Sequence, residues 1–179
     1  MESKFDPGLK LFKWFPNMVL EFWLEVLGSK SPIRTALASS YPPSNGAFKP
    51  EASNVMSAIL AFLLARGSPL MINVHPYFAY SSDPTNIHLN YAQFTATSPV
   101  VQDGALSYYN LFDATVDAFF AAMEKAGGGG VGVVVSESSW PSDGNGDFTT
   151  PELAGTYNRN FLKNITSKAG TPKRPWCLH

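Results

Sequence analysis

The segment Val131-Gly-Val-Val-Val-Ser-Glu-Ser-Ser-Trp-Pro141 is an apolar run that ends on a single carboxylate, Glu137. Its valines do not alternate with polar residues, which is typical of a strand buried on both faces of a parallel sheet. Four consecutive glycines at positions 127–130 precede the run and are expected to end any helix before it. Parallel α/β folds bind their ligands at the carboxyl ends of the strands, so Glu137 is the first candidate for a functional residue.

Helical and strand patterns alternate around this segment, as in one α/β domain. Apolar residues at helical spacing predict helices over Met18–Leu27, Glu51–Ala65 and Asn110–Ala126, and from Thr150 to Gly170. Short apolar runs predict strands over Ile33–Leu37, Leu70–Val74 and Val131–Val135. The residues between Tyr80 and Asn110 are interpreted as a polar loop.

The faces of these helices are also predictable from spacing. In the second helix we expect Val55, Ile59, Phe62 and Leu63 to be buried, and in the last helix Leu153, Tyr157, Phe161 and Ile165. In the third helix we expect Asp113, Asp117 and Glu124 to form a polar face.

The strand predicted over Leu70–Val74 ends on an amide surrounded by aromatic residues. Asn73 is followed by His75, Tyr77, Phe78 and Tyr80. Pyranose rings present apolar C–H faces to aromatic rings while their hydroxyls need hydrogen-bond partners, so this grouping is similar to a sugar platform. Packing of the rings in the core remains the alternative for each of them.

The composition favours a neutral ligand and predicts no cofactor. Thirteen basic against fourteen acidic residues give a net charge of −1 without any run of like charge, so nucleic acid and anionic membranes are unfavoured partners. Cys177 is the single cysteine, which excludes an internal disulfide and a multi-thiolate metal site. His88 and His179 have no metal-ligand spacing, so we predict no metal site and expect each of the two to be an ordinary loop or surface residue.

The amino-terminal residues do not resemble an export signal. Charged side chains from Lys4 to Glu25 interrupt residues 1–27, so no apolar stretch reaches the length of a signal core or a membrane span. The sequence alone thus favours a cytosolic chain and predicts no membrane span. The sequon that begins at Asn164 carries little weight, because such triplets occur often by chance.

Several blocks of the sequence resemble one family. Val-Val-Ser-Glu-Ser-Ser-Trp-Pro-Ser at 134–142 is similar to the active-site signature of the plant-type endo-1,3-β-glucanases, glycoside hydrolase family 17, which usually has glycine in place of Ser139. Similar blocks occur in the family's order at residues 41–48, 73–80, 110–114 and 170–175. In the block at 73–80, His75 stands where the family usually has tyrosine. The resemblance covers residues 24–175, leaving 1–23 and a divergent tail at 176–179 outside it.

The resemblance implies a (β/α)8 TIM barrel that hydrolyses internal 1,3-β-glucosidic bonds of β-glucans with retention of configuration. It implies that Glu137 is the nucleophile and that Asn73, Tyr77, Phe78 and Trp140 bind the glucan. It further implies a second carboxyl about 5 Å from the nucleophile, which acts as acid and base. The family takes this group from an Asn-Glu pair at the end of the fourth strand, and the sequence contains no Asn-Glu pair.

By this resemblance the chain is an incomplete barrel that covers roughly strands five to seven with their helices. Ile33–Leu37 would be strand five, Leu70–Val74 strand six and Val131–Val135 strand seven. General acid assistance is worth about 10² to 10⁴ in rate, so turnover at least about a thousandfold below that of a complete enzyme is expected. Two alternatives stay open beside the hydrolase: a catalytically silent fragment that binds glucan, and a truncated product without a stable fold. Oligomeric state and localisation are left undetermined, although the family is typically secreted, in the cell wall or vacuolar.

Overall fold

The structure is a computed structural model, and it describes residues 36–175. The predicted helix Met18–Leu27 and most of the predicted strand Ile33–Leu37 lie outside the described residues. The segment 1–23 and the tail 176–179 also lie outside them.

Short strands and five helices alternate along the described chain. The strands are β1 (Leu37–Ser39), β2 (Ala47–Phe48), β3 (Leu70–Asn73), β4 (Val101–Asp103), β5 (Leu106–Tyr108) and β6 (Val133–Glu137). The helices are α1 (Pro50–Arg66), α2 (Pro76–Ser82), α3 (Leu89–Ala92), α4 (Leu111–Lys125) and α5 (Pro151–Thr166). Two 3₁₀ turns lie at Pro43–Asn45 and Gly146–Phe148.

The centre of the fold is the parallel pair β3–β6. The strand predicted over Val131–Val135 is parallel as expected, but it runs from Val133 to Glu137. Leu70 lies opposite Val133, and the register continues to Ile72 opposite Val135. One face of the pair packs against α1 and α4 through an apolar core that includes Leu60, Leu63, Val116, Phe119 and Met123. Met71 and Val134, on the other face, are only half-buried. The expectation that 131–135 is buried on both faces is therefore wrong for this chain.

Side-chain caps and a left-handed glycine set the ends of the long helices. Asn110 accepts a hydrogen bond from the backbone N–H of Asp113 at 2.8 Å, and Thr150 accepts one from that of Leu153 at 3.3 Å. Gly67 ends α1 at φ +63°, a conformation that costs glycine little. The predicted stop of the last helix at Gly170 is wrong, because α5 already ends at Thr166.

Four predictions about helix faces are corrected by the packing. Val55 and Ile165 are exposed, since they lie off the stripes that contact the sheet. Asp113 and Asp117 are buried within α4 rather than on a polar face. A carboxylate is tolerated there because hydrogen-bond donors from neighbouring segments surround it.

The residues interpreted as a polar loop contain α3 and an antiparallel hairpin, β4–β5. Asp103 pairs with Leu106 across a two-residue turn in which Gly104 has φ +60°. The Asp103-Gly104 dipeptide is the hairpin signal that the sequence interpretation missed. The hairpin is tied to the loop at 41–46, because Asp103 accepts hydrogen bonds from the backbone N–H and the hydroxyl of Ser44 at 2.6 and 2.7 Å.

Candidate active site

A β-bulge at Ser136 determines how β6 presents its last side chains. The register passes from Ile72 opposite Val135 directly to Asn73 opposite Glu137, so Ser136 has no partner residue of its own. A bulge lets two residues of one strand face a single residue of the other and redirects their side chains. Both Ser136 and Glu137 are thereby brought to Asn73.

Asn73 links the two strand ends through its side-chain amide. Its Nδ2 donates to Glu137 Oε2 at 3.2 Å, and its Oδ1 accepts from the Ser136 hydroxyl at 2.5 Å. Because an ionised carboxylate only accepts hydrogen bonds, the NH₂ group of Asn73 faces Glu137 and its carbonyl oxygen faces the Ser136 hydroxyl. Asn73 is 8% exposed, whereas the Glu137 side chain is 50% exposed. The Glu137 carboxylate is therefore held on one side by the buried Asn73 amide and is exposed to solvent on the other.

His75 stands beside the same carboxylate. Its Nε2 lies 3.8 Å from Glu137 Oε2, and its Nδ1 lies 3.4 Å from the hydroxyl of Ser139. The imidazole is 16% exposed and meets the edge of Phe78 at a centroid distance of 5.7 Å. The expectation of an ordinary loop or surface residue holds for the exposed His88, and His179 lies outside the described residues.

The three aromatic residues predicted to bind sugar occupy different environments. Trp140 is 3% exposed, with its indole N–H donating to the Phe148 carbonyl at 2.9 Å and its ring against Tyr77 at 5.4 Å. Tyr77 is also buried, and its hydroxyl accepts from the Asn145 amide at 2.9 Å. Phe78 is 39% exposed. In this arrangement Trp140 and Tyr77 form a wall behind the site, and Phe78 is the ring with a face open to a ligand.

The loop that follows Glu137 is anchored to α5. Ser138 and Tyr157 share a hydrogen bond of 2.5 Å between their hydroxyls, and the Tyr157 ring packs against Trp140 at 5.6 Å. Burial raises the pKa of the Tyr157 hydroxyl, so it stays protonated. The loop that follows Glu137 is thus anchored to α5, and β6, which precedes it, is anchored to β3.

The described residues offer no other feature that competes for a catalytic role. A cavity of about 520 Å³ opens at the amino ends of β3 and β6, beside Pro69 and Gly132, and is therefore at the opposite end from Glu137. Between residues 36 and 175 there is no group of three His, Cys, Asp or Glu side chains arranged to hold a metal ion. No helix in that range is long and apolar enough to cross a bilayer.

The sequence match decides the family. The family model described as glycosyl hydrolases family 17 matches residues 24–177. The chain belongs to glycosyl hydrolase family 17. Over 167 residues it is 55% identical to a protein of Arabidopsis thaliana named as a probable glucan endo-1,3-beta-glucosidase. The aligned region covers 93% of this chain and 48% of that protein. It is 48% identical over 146 residues to a glucan endo-1,3-beta-glucosidase of Vitis vinifera, which covers 82% of this chain and 42% of that one.

Solved structures of plant proteins have the same fold. One is described as a plant β-glucan endohydrolase; it superposes with a TM-score of 0.77 at 43% identity, covering 82% of this chain and 47% of that chain. Another, a β-1,3-glucanase and allergen of Cryptomeria japonica pollen, gives a TM-score of 0.74 at 51% identity over 78% of this chain and 43% of that one. The chain of this family 17 member spans about half the length of the relatives that it matches.

The sequence interpretation selected Glu137 but missed part of its surroundings. It identified Asn73, Tyr77, Phe78, Trp140 and Glu137, and the structure brings Asn73 to Glu137. It missed the contacts of His75, Ser136 and Ser139, because a bulge and a pair of loop residues leave no periodic signal. The available signal was that His75 and Ser139 both depart from the residues usual in the family, and the structure places them together.

Proposed function

We propose that the chain contributes the nucleophile and part of the sugar-binding wall of a retaining endo-1,3-β-glucanase, acting on internal 1,3-β-linkages of β-glucans. The observation that carries the proposal is Glu137, a half-exposed carboxylate at the carboxyl end of a parallel strand, held by the Asn73 amide at 3.2 Å. The names of the relatives support the substrate class.

Rigid support gives the carboxylate its role. A nucleophile must lie close to the anomeric carbon in a fixed orientation, and the bulged strand and the Asn73 amide restrict Glu137 to one direction. In the proposed step one carboxylate oxygen bonds to the anomeric carbon and the glycosidic oxygen leaves with the electron pair of its bond. That oxygen takes a proton from the second carboxyl group that the family resemblance implies, for which this sequence has no Asn-Glu pair. Water then releases the sugar, and Glu137 regains its negative charge.

The aromatic residues are proposed to hold the sugar in two ways. Phe78 offers an open ring face for an apolar pyranose face, whereas buried Trp140 and Tyr77 keep the wall rigid and exclude water from it. Asn73 acts mainly on Glu137 in the free protein. We assign β3 and β6 to the sixth and seventh strands of a (β/α)8 barrel and residues 24–175 to its barrel part.

A trapping experiment tests this proposal without requiring a general acid. The probe is the dinitrophenyl glycoside of laminaribiose fluorinated at carbon 2 of the reducing-end sugar. Dinitrophenolate leaves without protonation, so only a nucleophile is needed to form the glycosyl-enzyme, and fluorine slows its hydrolysis. We expect intact-mass spectrometry to show the mass of one added fluorinated disaccharide and peptide mapping to place it on Glu137.

Two controls make the result specific. Glu137→Gln keeps the shape of the side chain and removes the charge, so it should take up no label. The matching reagent built on the 1,4-linked disaccharide should label wild type much more slowly if the site selects 1,3-linkages. Attachment of the label to a different carboxylate, or an unlabelled wild-type chain, would contradict the proposal.

A further inference from the structure

We propose that His75, oriented by Ser139, is a positioning residue that selects which oxygen of Glu137 reacts. The inference deepens the proposed function and rests on it for the identity of the reaction. It starts from the contacts of the two ring nitrogens, which lie 3.8 Å from Glu137 Oε2 and 3.4 Å from Ser139 Oγ.

The chemistry of the partners determines where the ring carries its proton. An ionised carboxylate only accepts hydrogen bonds, so the nitrogen that faces Glu137 is favoured as the N–H. In the neutral ring Nδ1 is then unprotonated and accepts a hydrogen bond from the Ser139 hydroxyl. One tautomer, with the proton on Nε2, satisfies both contacts at once, whereas the other would aim a lone pair at the carboxylate.

The surroundings keep the ring in this orientation. His75 precedes α2 directly and is 16% exposed, and the Phe78 ring packs against it nearly perpendicularly, at 75°. Ser139 approaches from the loop after β6, two residues beyond Glu137. The imidazole is thereby placed between the two strand ends, and rotation about its side-chain bonds would break contacts on both sides.

Asn73 therefore hydrogen-bonds to Oε2 of Glu137, and His75 Nε2 lies within ion-pair distance of the same oxygen. The Asn73 amide donates to Oε2 at 3.2 Å, and His75 Nε2 faces Oε2 as well. Among residues 36–175 no side chain or backbone group donates to Oε1. Hydrogen bonds stabilise negative charge on the oxygen that accepts them, so Oε1 is the oxygen with the more available lone pairs. Oε1 is thus assigned to the bond with the anomeric carbon, and Oε2 to the protein.

Ring nitrogen NMR tests the arrangement without reference to activity. In ¹⁵N-labelled wild type at about pH 8.5, where an ordinary imidazole is neutral, we expect His75 to populate the Nε2–H tautomer alone. Exposed His88 in the same sample gives the mixed ratio of a free imidazole and serves as the internal reference. Ser139→Gly, which removes the hydroxyl contact, should move His75 toward the His88 ratio, and His75→Gln identifies its signals.

Trapping rates then test the consequence for the carboxylate. His75→Gln retains an N–H donor, so the fluorosugar should label it within about threefold of the wild-type rate. His75→Phe keeps a planar ring without a donor and should be labelled about tenfold more slowly, with unchanged thermal unfolding and unchanged binding of a laminarin oligosaccharide. A structural role alone would lower stability or binding together with the rate.

The outcomes separate this inference from the proposed function. A His75 tautomer ratio equal to that of His88 would overturn the inference even where wild-type labelling of Glu137 succeeds. Equal labelling rates for His75→Phe and wild type would overturn it as well. A wild-type chain that resists the fluorosugar but shows the single tautomer would refute the nucleophile assignment and leave the hydrogen-bond arrangement standing.

Discussion

The chain contains carboxylates in two contrasting environments, at the end of β6 and inside α4. Glu137 has one amide donor and a half-exposed side chain. Asp117 is fully buried and accepts from the hydroxyls of Tyr108 and Thr171 and from the backbone N–H of Lys173. Asp113, 8% exposed, accepts from the amides of Asn110 and Asn164 at 2.7 and 3.0 Å.

The difference shows that the surroundings of a carboxylate decide whether it holds the fold together or is available for chemistry. Each donor satisfies a lone pair, and burial excludes substrate, so the aspartates of α4 fasten β5, α5 and residues 171–173 to the helix. Burial also has an electrostatic cost: it raises the pKa of Asp113 to about 6 and raises the pKa of Asp117, although their hydrogen bonds act in the lowering direction. Glu137 has fewer donors and is open to solvent, which leaves a lone pair for chemistry.

The largest expected effect comes from removing the charge of Glu137 at the end of β6. Glu137→Gln should abolish fluorosugar labelling, a loss of at least about a thousandfold, because no described residue replaces the nucleophile. Its midpoint of thermal unfolding should stay close to that of wild type, since the side chain is half exposed. A fall in stability comparable to that of the α4 variants would show that Glu137 is structural.

Removing a carboxylate from α4 should have the opposite pattern. Asp117→Ala leaves three donors unpaired in the interior, so the free energy of unfolding should fall by about 3 kcal/mol or more. Denaturant titration followed by tryptophan fluorescence measures this change. Asp117→Asn, which keeps one acceptor oxygen, should lose less. Any loss of labelling by Asp117→Ala should disappear at temperatures where the variant is fully folded.

Stability should depend on pH through the buried acids. The pKa of Asp113 is about 6 in the folded chain, against an ordinary value of 3.8, so the folded state binds the proton more tightly. The stabilisation is then fully present below about pH 4 and is lost as pH rises to about 6, an amplitude of about 3 kcal/mol. The raised pKa of Asp117 adds in the same direction.

Unfolding free energies measured between about pH 4 and pH 7 check this dependence. Asp113→Asn should reduce the slope, because the neutral amide does not titrate. A wild-type stability that rises over this range would show that the hydrogen bonds outweigh burial at both aspartates.

The smallest expected effect comes from the contrast between the exposed Phe78 and the buried Trp140. Phe78→Ala should weaken the binding of laminarin oligosaccharides by about 1 kcal/mol while stability changes little, since its ring is 39% exposed. Trp140→Ala is the contrasting control, because truncating a buried ring should cost about 3–5 kcal/mol of stability. Isothermal titration calorimetry measures the first, and thermal unfolding the second. Unchanged affinity in Phe78→Ala would remove Phe78 from the proposed sugar platform.

Local pattern and specific motifs predicted much of this fold. The apolar run at Val131–Val135 predicted a parallel strand, and the structure has one at Val133–Glu137, paired with the strand Leu70–Asn73. Asn110 and Thr150 cap the helices that they were expected to begin. The β4–β5 hairpin was missed, since its strands are too short for alternation to show and only its Asp-Gly turn marks it.

The sequence by itself determined the family, the parallel strand pair and the carboxylate at 137, because these depend on periodicity and on residues close together in the chain. Only the tertiary structure decided the surroundings of each acid. Asp113 and Asp117 have a spacing that also suits an exposed face, and donors up to 56 positions away make them interior residues. In the same way, the bulge at Ser136 and the packing of β3 beside β6 bring Asn73 and His75 to Glu137 across more than 60 residues of chain. Contacts between segments so far apart leave no periodic trace in either one.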